Sequence, residues 1–369
     1  MVARGSLAGP TTTTVLFKLK EEAELADYNE RAAGAPAREA VRAAEGARLT
    51  NVRRVFREAG VHEARHRRVG AHLYFEADVS IASDIATEDR AFSRSVIARD
   101  AARSLQRDPA VSFTEVRRDD AAELFSQGGG GDFFNHESGP IDPALVPDDA
   151  LFSDQGYLRV THAYEAWAIT KGSPEVVVAV MDSGAGFHPD LSPNFWRNDG
   201  ETDCDDGIDN DRNGYVDDCH GYNFSADDGK DLIGISSHGA HVAGTVAARS
   251  NNTIGVAGLA GGDGARRGVS LMILCTFGEP RQSGFGEAHF YAADMGASIA
   301  QQSWGYTRGG SFPRDVRLGI DYFNENARGS VMPAPSQPPW SPGARWTTPD
   351  GGMVVFAAGN DGSMEDIYP

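Results

Sequence analysis

The chain has 369 residues, enough for two or three domains of about 150 residues each and for a sizeable buried core. Its 40% apolar and 24% charged residues exclude wholesale disorder, and no stretch approaches the roughly 18 consecutive apolar residues of a membrane span. With 34 Lys and Arg against 53 Asp and Glu the formal charge is −19, which argues against nucleic acid as a partner.

The charge is unevenly spread. Residues 1–125 hold 20 basic and 20 acidic side chains, so the whole excess lies after them. Between Glu201 and Gly221 stand eight acids (Glu201, Asp203, Asp205, Asp206, Asp209, Asp211, Asp217, Asp218) against one base, Arg212. Cys204 and Cys219 bracket this cluster. Cys275 is the third cysteine, and three cannot all pair within one chain. Met1–Pro10 carries no apolar core of signal-peptide length.

Taken in chain order, residues 13–120 read as a small α+β unit. Val15, Phe17 and Leu19 alternate with more polar neighbours, Leu73, Phe75, Ala77 and Val79 do the same, and Val111–Phe113 starts a third strand. Helical spacing at Leu49, Val52, Val55 and Phe56, and again at Phe92, Val96, Ile97, Ala101 and Leu105, predicts helices between the strands. Antiparallel strands with helices on one face bury both apolar sets. Residues 121–149 read as a linker, with four consecutive glycines inside Gln127–Asp132 followed by Pro140, Pro143 and Pro147.

From 150 to 369 the texture changes to short apolar runs alternating with helical stretches. Val176–Met181, Val269–Leu274, Ala297–Gln301 and Met353–Ala358 predict strands covered on both faces, and His238–Arg249, Gly286–Met295 and Arg314–Asn326 predict helices. The alternation implies a parallel α/β sheet, whose chemistry collects at the carboxyl ends of the strands. Asp182 follows the first run, His238 opens a helix rich in small residues, and Asn360 follows the last run. Singly, each has a structural explanation as a turn cap, a packed histidine or a left-handed turn residue.

Together they carry a resemblance. Residues 147–369 resemble the subtilisin-like serine peptidases (subtilases) through AWAITKGSPEVVVAVMDSG, SHGAHVAGTVAA, NNTIGVAGLAG, QSWG and VVFAAGN, in the family's order. The resemblance implies a parallel-sheet α/β catalytic domain preceded by a propeptide-like α+β domain that assists folding and blocks the cleft as an intramolecular inhibitor. It implies a serine-type endopeptidase with His238 as general base, Asp182 as its orienter and Asn360 as the side-chain donor of the oxyanion hole. Ser303, Trp304 and Gly305 match the edge segment that pairs with an extended protein or peptide substrate. His241 and His188 read as structural.

Departures are Ala240, where the family usually has Thr, Gln301, where Asn is usual, and a longer Pro-rich connection over residues 330–350. The family's nucleophile lies in Gly-Thr-Ser-Met-Ala-x-Pro, and no Gly-Thr-Ser occurs in this chain. Gly362-Ser363-Met364 lacks the Ala-x-Pro continuation. The resemblance therefore implies that the catalytic serine lies beyond Pro369 and that the chain by itself is an inactive fragment of a zymogen.

In the acidic loop Asp209, Asp211 and Asn213 are spaced two apart, with Gly214 next and Asp217 and Asp218 beyond, the oxygen pattern of a calcium loop. His220 stands where an EF-hand would have Glu. Related subtilases carry similar insertions, so structural calcium is expected here, with Asp205, Asp209, Asp211, Asn213, Asp217 and Asp218 as candidate ligands. A Cys204–Cys219 disulfide would close the same loop and, with the family, implies a secreted protein. Cys275 reads as a buried thiol. The alternative reading is a non-catalytic relative of the same fold that binds peptides or calcium.

Overall fold

The computed structural model describes residues 13–20, 35–79, 90–117, 122–124, 142–306, 313–327 and 351–360. The glycine run of the linker, the Pro-rich connection over 330–350 and Gly362–Met364 lie outside these. The chain divides into two compact units: one runs to Ala122 and takes in Arg212–Gly214 and Ser311–Leu318, and the other holds Glu123–Asp211, Tyr215–Gly310 and the chain from Gly319 onward.

The first unit contains β1 (Thr14–Leu19), α1 (Ala35–Gly46), β2 (Leu49–Arg54), α2 (Glu63–Arg68), β3 (Tyr74–Val79), α3 (Arg90–Leu105) and β4 (Val111–Arg117). Its sheet has the order β2-β3-β1-β4 with every neighbour antiparallel. Phe17, Leu19, Phe75 and Ala77 face Ala40, Ala44, Ala98 and Leu105 of α1 and α3 in one core. Glu76, which points to the other face of β3, is held by Arg53 Nε and Arg117 Nη1, each at 2.6 Å.

Residues 49–54 correct the sequence reading, which made Leu49–Phe56 a helix. The helix stands upstream as α1. Arg48, at φ 62, turns the chain after it, and Leu49–Arg54 satisfies its backbone by pairing with β3. Leu49 still reaches the helical core, and Phe56 is buried. Their spacing therefore signalled burial and misled about secondary structure.

Next come β5 (Ala122–Leu124), two short helices, α4 (Tyr157–Val160) and α5 (Ala163–Trp167), then β6 (Val177–Asp182), β7 (Gly221–Asn223), α6 (His238–Ala247) and β8 (Ser270–Cys275). After them follow α7 (Phe285–Asp294), β9 (Ile299–Gln302), β10 (Trp304–Tyr306), α8 (Arg314–Asn326) and β11 (Met353–Phe356). Strands β11-β9-β6-β8-β7 form one sheet, parallel throughout. All residues of the central β6 and β8 are buried, as near-continuous apolar runs require.

On one face the small side chains Ala243 and Ala247 of α6 pack with Val178, Val180, Leu271 and Ile273. Elsewhere Phe290 of α7 stacks on Tyr322 of α8 with ring centroids 4.0 Å apart. The edge strand β11 departs from expectation: Met353 is 56% and Val355 42% exposed, so only one of its faces is covered among the described residues. Phe356, on the covered face, packs edge-on against Trp304.

Candidate active site

Parallel register brings the ends of several strands to one level. Met181 pairs with Gln302, which pairs with Phe356, and Asp182 pairs with Cys275. Asp182, Ser303 and the segment running to Asn360 thus leave the same edge of the sheet, the edge where ligands of such sheets bind.

Asp182 is fully buried. Its Oδ1 accepts the backbone N–H of Ser183 at 2.7 Å and the Nδ1–H of His238 at 2.7 Å, while Oδ2 is buried without a hydrogen-bond partner. A carboxylate only accepts, so the contact places the proton on Nδ1 and leaves Nε2 of the neutral ring as an acceptor. His238 opens α6 with its side chain 15% exposed. Two glycines permit this approach. Gly184, at φ +75, turns the chain where a Cβ would strike the carbonyl of Leu232, and a Cβ on Gly239 would strike the backbone of Gly184.

Ser303 Oγ accepts a hydrogen bond from Gln301 Nε2 at 2.7 Å, and Gly305 is buried. The Trp304 ring is part of the core: it is fully buried, its Nε1 donates to Met181 O at 3.0 Å, and Phe277 and Phe285 surround it. The Trp304 side chain is therefore committed to the core. Its strand β10 forms a two-stranded sheet with β5. Asn360 follows Gly359, itself at φ 82, and is exposed. His241 is exposed on α6, and His188 Nδ1 accepts the N–H of Asp190 within a turn.

The sequence did not single out a buried pair, His289 and Gln302, the second of which precedes Ser303. His289 Nδ1 donates to Phe285 O at 2.7 Å, and its Nε2 accepts from Gln302 Nε2 at 2.7 Å. The ring is fully buried, and burial lowers its pKa from 6.5 to about 4. A histidine within the small and aromatic run Ala288–Ala293, followed by a glutamine at a strand end, was the available signal. Cys275 is fully buried and its thiol is pushed up to about 12, chiefly by burial, with Asp182 adding to the effect.

In the acidic loop Cys204 and Cys219 are disulfide-bonded with Cα atoms 5.7 Å apart. Glu201, Asp209 and Asp211 offer carboxylate oxygens within 4.8 Å of one another. Two of these were expected from the spacing, and Glu201 joins them. Glu201 is 1% exposed. Its Oε1 accepts the N–H of Asn210, and its Oε2 is buried without a partner. Burial raises its pKa to about 7, and Asp218, Asp211 and Asp209 push in the same direction. A buried carboxyl with one unpartnered oxygen, set beside two half-buried carboxylates, fits a hard cation.

The other expected ligands stand differently. Asp205 is exposed and ion-paired with Lys230 Nζ at 2.8 Å, which lowers its pKa. Asp217 accepts the N–H of Gly207 at 3.2 Å. Asp218 is buried and accepts from Asn198 Nδ2 at 2.8 Å and Tyr291 Oη at 2.7 Å. Asn213 is buried beside Gly214, whose φ of 98 makes the turn the spacing anticipated. His220 turns away, its Nδ1–H donating to Trp196 O at 2.7 Å.

Among known proteins, the family model described as the subtilase family matches residues 173–368. A thermophilic serine proteinase of Bacillus sp. (strain AK1) is 30% identical over 230 residues, 61% of this chain and 43% of that protein. The halolysin-like extracellular serine protease Nep of Natrialba magadii is 31% identical over 164 residues, 43% of this chain and 26% of that protein. Fervidolysin from Fervidobacterium pennivorans, a keratinolytic enzyme related to subtilisin, has a solved structure that superposes with TM-score 0.48 and 16% identity, covering 84% of this chain and 38% of that one. The chain spans less than half the length of the curated relatives it matches. Since the family match takes in more than half of the chain, the protein belongs to the subtilase family.

Proposed function

We propose that this chain carries the general base and its orienting carboxylate of a serine endopeptidase that hydrolyses peptide bonds through an acyl-enzyme. The observation that carries this reading is the 2.7 Å hydrogen bond between His238 Nδ1 and Asp182 Oδ1, at the carboxyl end of a parallel strand in a subtilase. With one proton fixed on Nδ1, Nε2 takes the proton of a serine hydroxyl as its oxygen attacks the scissile carbonyl, then passes it to the leaving amine. Asp182 holds the tautomer and stabilises the imidazolium between those steps. Asn360 donates its amide to the tetrahedral oxyanion. On this reading the serine belongs to a Gly-Thr-Ser-Met-Ala-x-Pro motif following Pro369.

An extended peptide substrate pairs with the Ser303–Gly305 edge. The pairing of β10 with β5 supports that mode, since there this segment binds an added strand through its backbone. Residues 13–120 act as the propeptide and inhibitor, a role supported by their α+β order ahead of the peptidase sheet. Secretion is supported by the disulfide and by the extracellular relative. Glu201, Asp209 and Asp211 hold calcium, which when bound supplies the positive charge their cluster lacks.

The test is to extend the reading frame, express the complete protein and measure casein hydrolysis. The proposal expects a Gly-Thr-Ser-Met-Ala motif downstream and hydrolysis that disappears in Asp182→Ala. A complete protein that binds casein or calcium without cleaving peptide bonds would instead support the non-catalytic alternative.

A further inference from the structure

Beyond the Asp182–His238 pair, two serine hydroxyls tie the segments that present it. Ser183 follows Asp182 and is fully buried. Its hydroxyl donates to Ser236 O at 3.0 Å and accepts from Gly239 N at 2.9 Å and from Ser236 Oγ at 3.1 Å. A hydroxyl has one proton and two lone pairs, so every hydrogen-bonding capacity of Ser183 is spent on residues 236–239, the segment that carries His238. Ser236 Oγ in turn accepts the N–H of His238 at 3.3 Å, and Ser183 O accepts Gly234 N at 2.8 Å.

The start of α6 explains why this matters. The first N–H groups of a helix have no partner within it and are normally taken by the side chain at the N-cap. Ser237 occupies the N-cap here and its side chain makes no capping hydrogen bond. The N–H of Gly239 is taken by Ser183, which arrives from the end of β6. A cap supplied by the neighbour of Asp182 fixes the height and rotation of the first helical turn relative to that carboxylate. It thereby sets the Nδ1 to Oδ1 separation, which a local cap could not do.

We infer that Ser183 and Ser236 are positioning residues, a hydroxyl clasp that holds the imidazole of His238 in register with Asp182. The inference rests on the assignment of that pair as the working base and orienter, but its readout does not require turnover. In the isotope-labelled chain the Nδ1–H proton of His238, identified by its loss in His238→Gln, is followed by NMR for solvent exchange and for the pH midpoint of the ring. Ser183→Ala is expected to accelerate exchange about tenfold, the size of one buried hydrogen bond, and to move the midpoint. Ser183→Thr, which keeps the hydroxyl, restores both, and Ser236→Ala gives a smaller acceleration, about threefold.

An alanine variant that lowers the melting temperature but leaves exchange and midpoint unchanged overturns the inference, as does a threonine variant as impaired as alanine. If Ser183→Ala does not fold by circular dichroism, the exposed Ser236→Ala decides: accelerated exchange upholds the clasp and unchanged exchange overturns it. Failure of the complete protein to cleave casein would defeat the proposed function while leaving these NMR outcomes intact.

Discussion

The end of β6 and the acidic loop each bury a carboxylate with one oxygen unpartnered, Asp182 Oδ2 in one and Glu201 Oε2 in the other. Their surroundings differ. Asp182 faces an imidazole and a backbone N–H, so its charge is met by donors the fold itself supplies. Glu201 accepts one backbone N–H, from Asn210, but faces Asp209 and Asp211 with no cationic donor among the described residues, and Asp218 adds more negative charge. On the proposed function, the same side-chain chemistry orients a base in one place and calls for an external cation in another. What decides is the sign of the nearest groups, since burial is common to both.

Breaking the first arrangement should have the largest consequence. In the complete protein, His238→Ala is expected to lower kcat by about 10⁴-fold or more, measured on a peptide substrate at saturation, the loss typical when an imidazole base is removed from such a site. Retained turnover would separate His238 from the chemistry.

His289 tests the other extreme, a titratable group whose hydrogen-bond partners, Phe285 O and Gln302 Nε2, are both neutral. Its folded pKa of about 4 lies below its ordinary 6.5, so between those values the unfolded chain binds a proton that the folded chain does not. Stability contributed by the neutral ring is complete above pH 6.5 and declines as pH falls to about 4, by about 3 kcal/mol in all. Urea titrations across this range should show that slope in the parent and a shallower one in His289→Gln.

The acidic loop can be opened in two ways. Reducing the disulfide, whose cysteines are 15 residues apart, should cost about 3 kcal/mol by the loop-closure argument, read as a lower urea midpoint. Chelation should lower the melting temperature by an amount equivalent to about 2.7 kcal/mol at a calcium concentration 100 times Kd, and Glu201→Gln should shrink that shift. The smallest effect sharpens the ligand set: Asp205→Asn should leave calcium affinity unchanged by calorimetry, because Asp205 is exposed and engaged by Lys230. A weakened affinity would return Asp205 to the site.

How much of this was legible beforehand differed in the same way between regions. Strands β6 and β8 were readable because continuous apolar runs have one stable solution, a strand covered on both faces. Asp182 and His238 were readable from sequence context, 56 residues apart in chain yet joined by one hydrogen bond. The three-residue β7 was not, since its presence depends on Gly221 lying close against Ile273 of β8. Leu49–Arg54 misled because apolar spacing reports burial, while the free edge of β3 made it a strand.

Glu201 was visible as an acid and invisible as a member of the carboxylate group. Regular spacing within Asp209–Asp218 says nothing about a residue folded back from before the first cysteine. Ser183 shows the same limit. Its neighbour explains its place in the motif, but the sharing of its hydroxyl between Ser236 and Gly239 is a tertiary fact.

The most direct test of the central claim is labelling of the complete protein with a fluorophosphonate, which reacts with a serine only when a neighbouring base activates it. The Asp182–His238 pair predicts one labelled serine downstream of Pro369, with labelling abolished in His238→Ala. No labelled serine, or labelling undiminished in that variant, would contradict it.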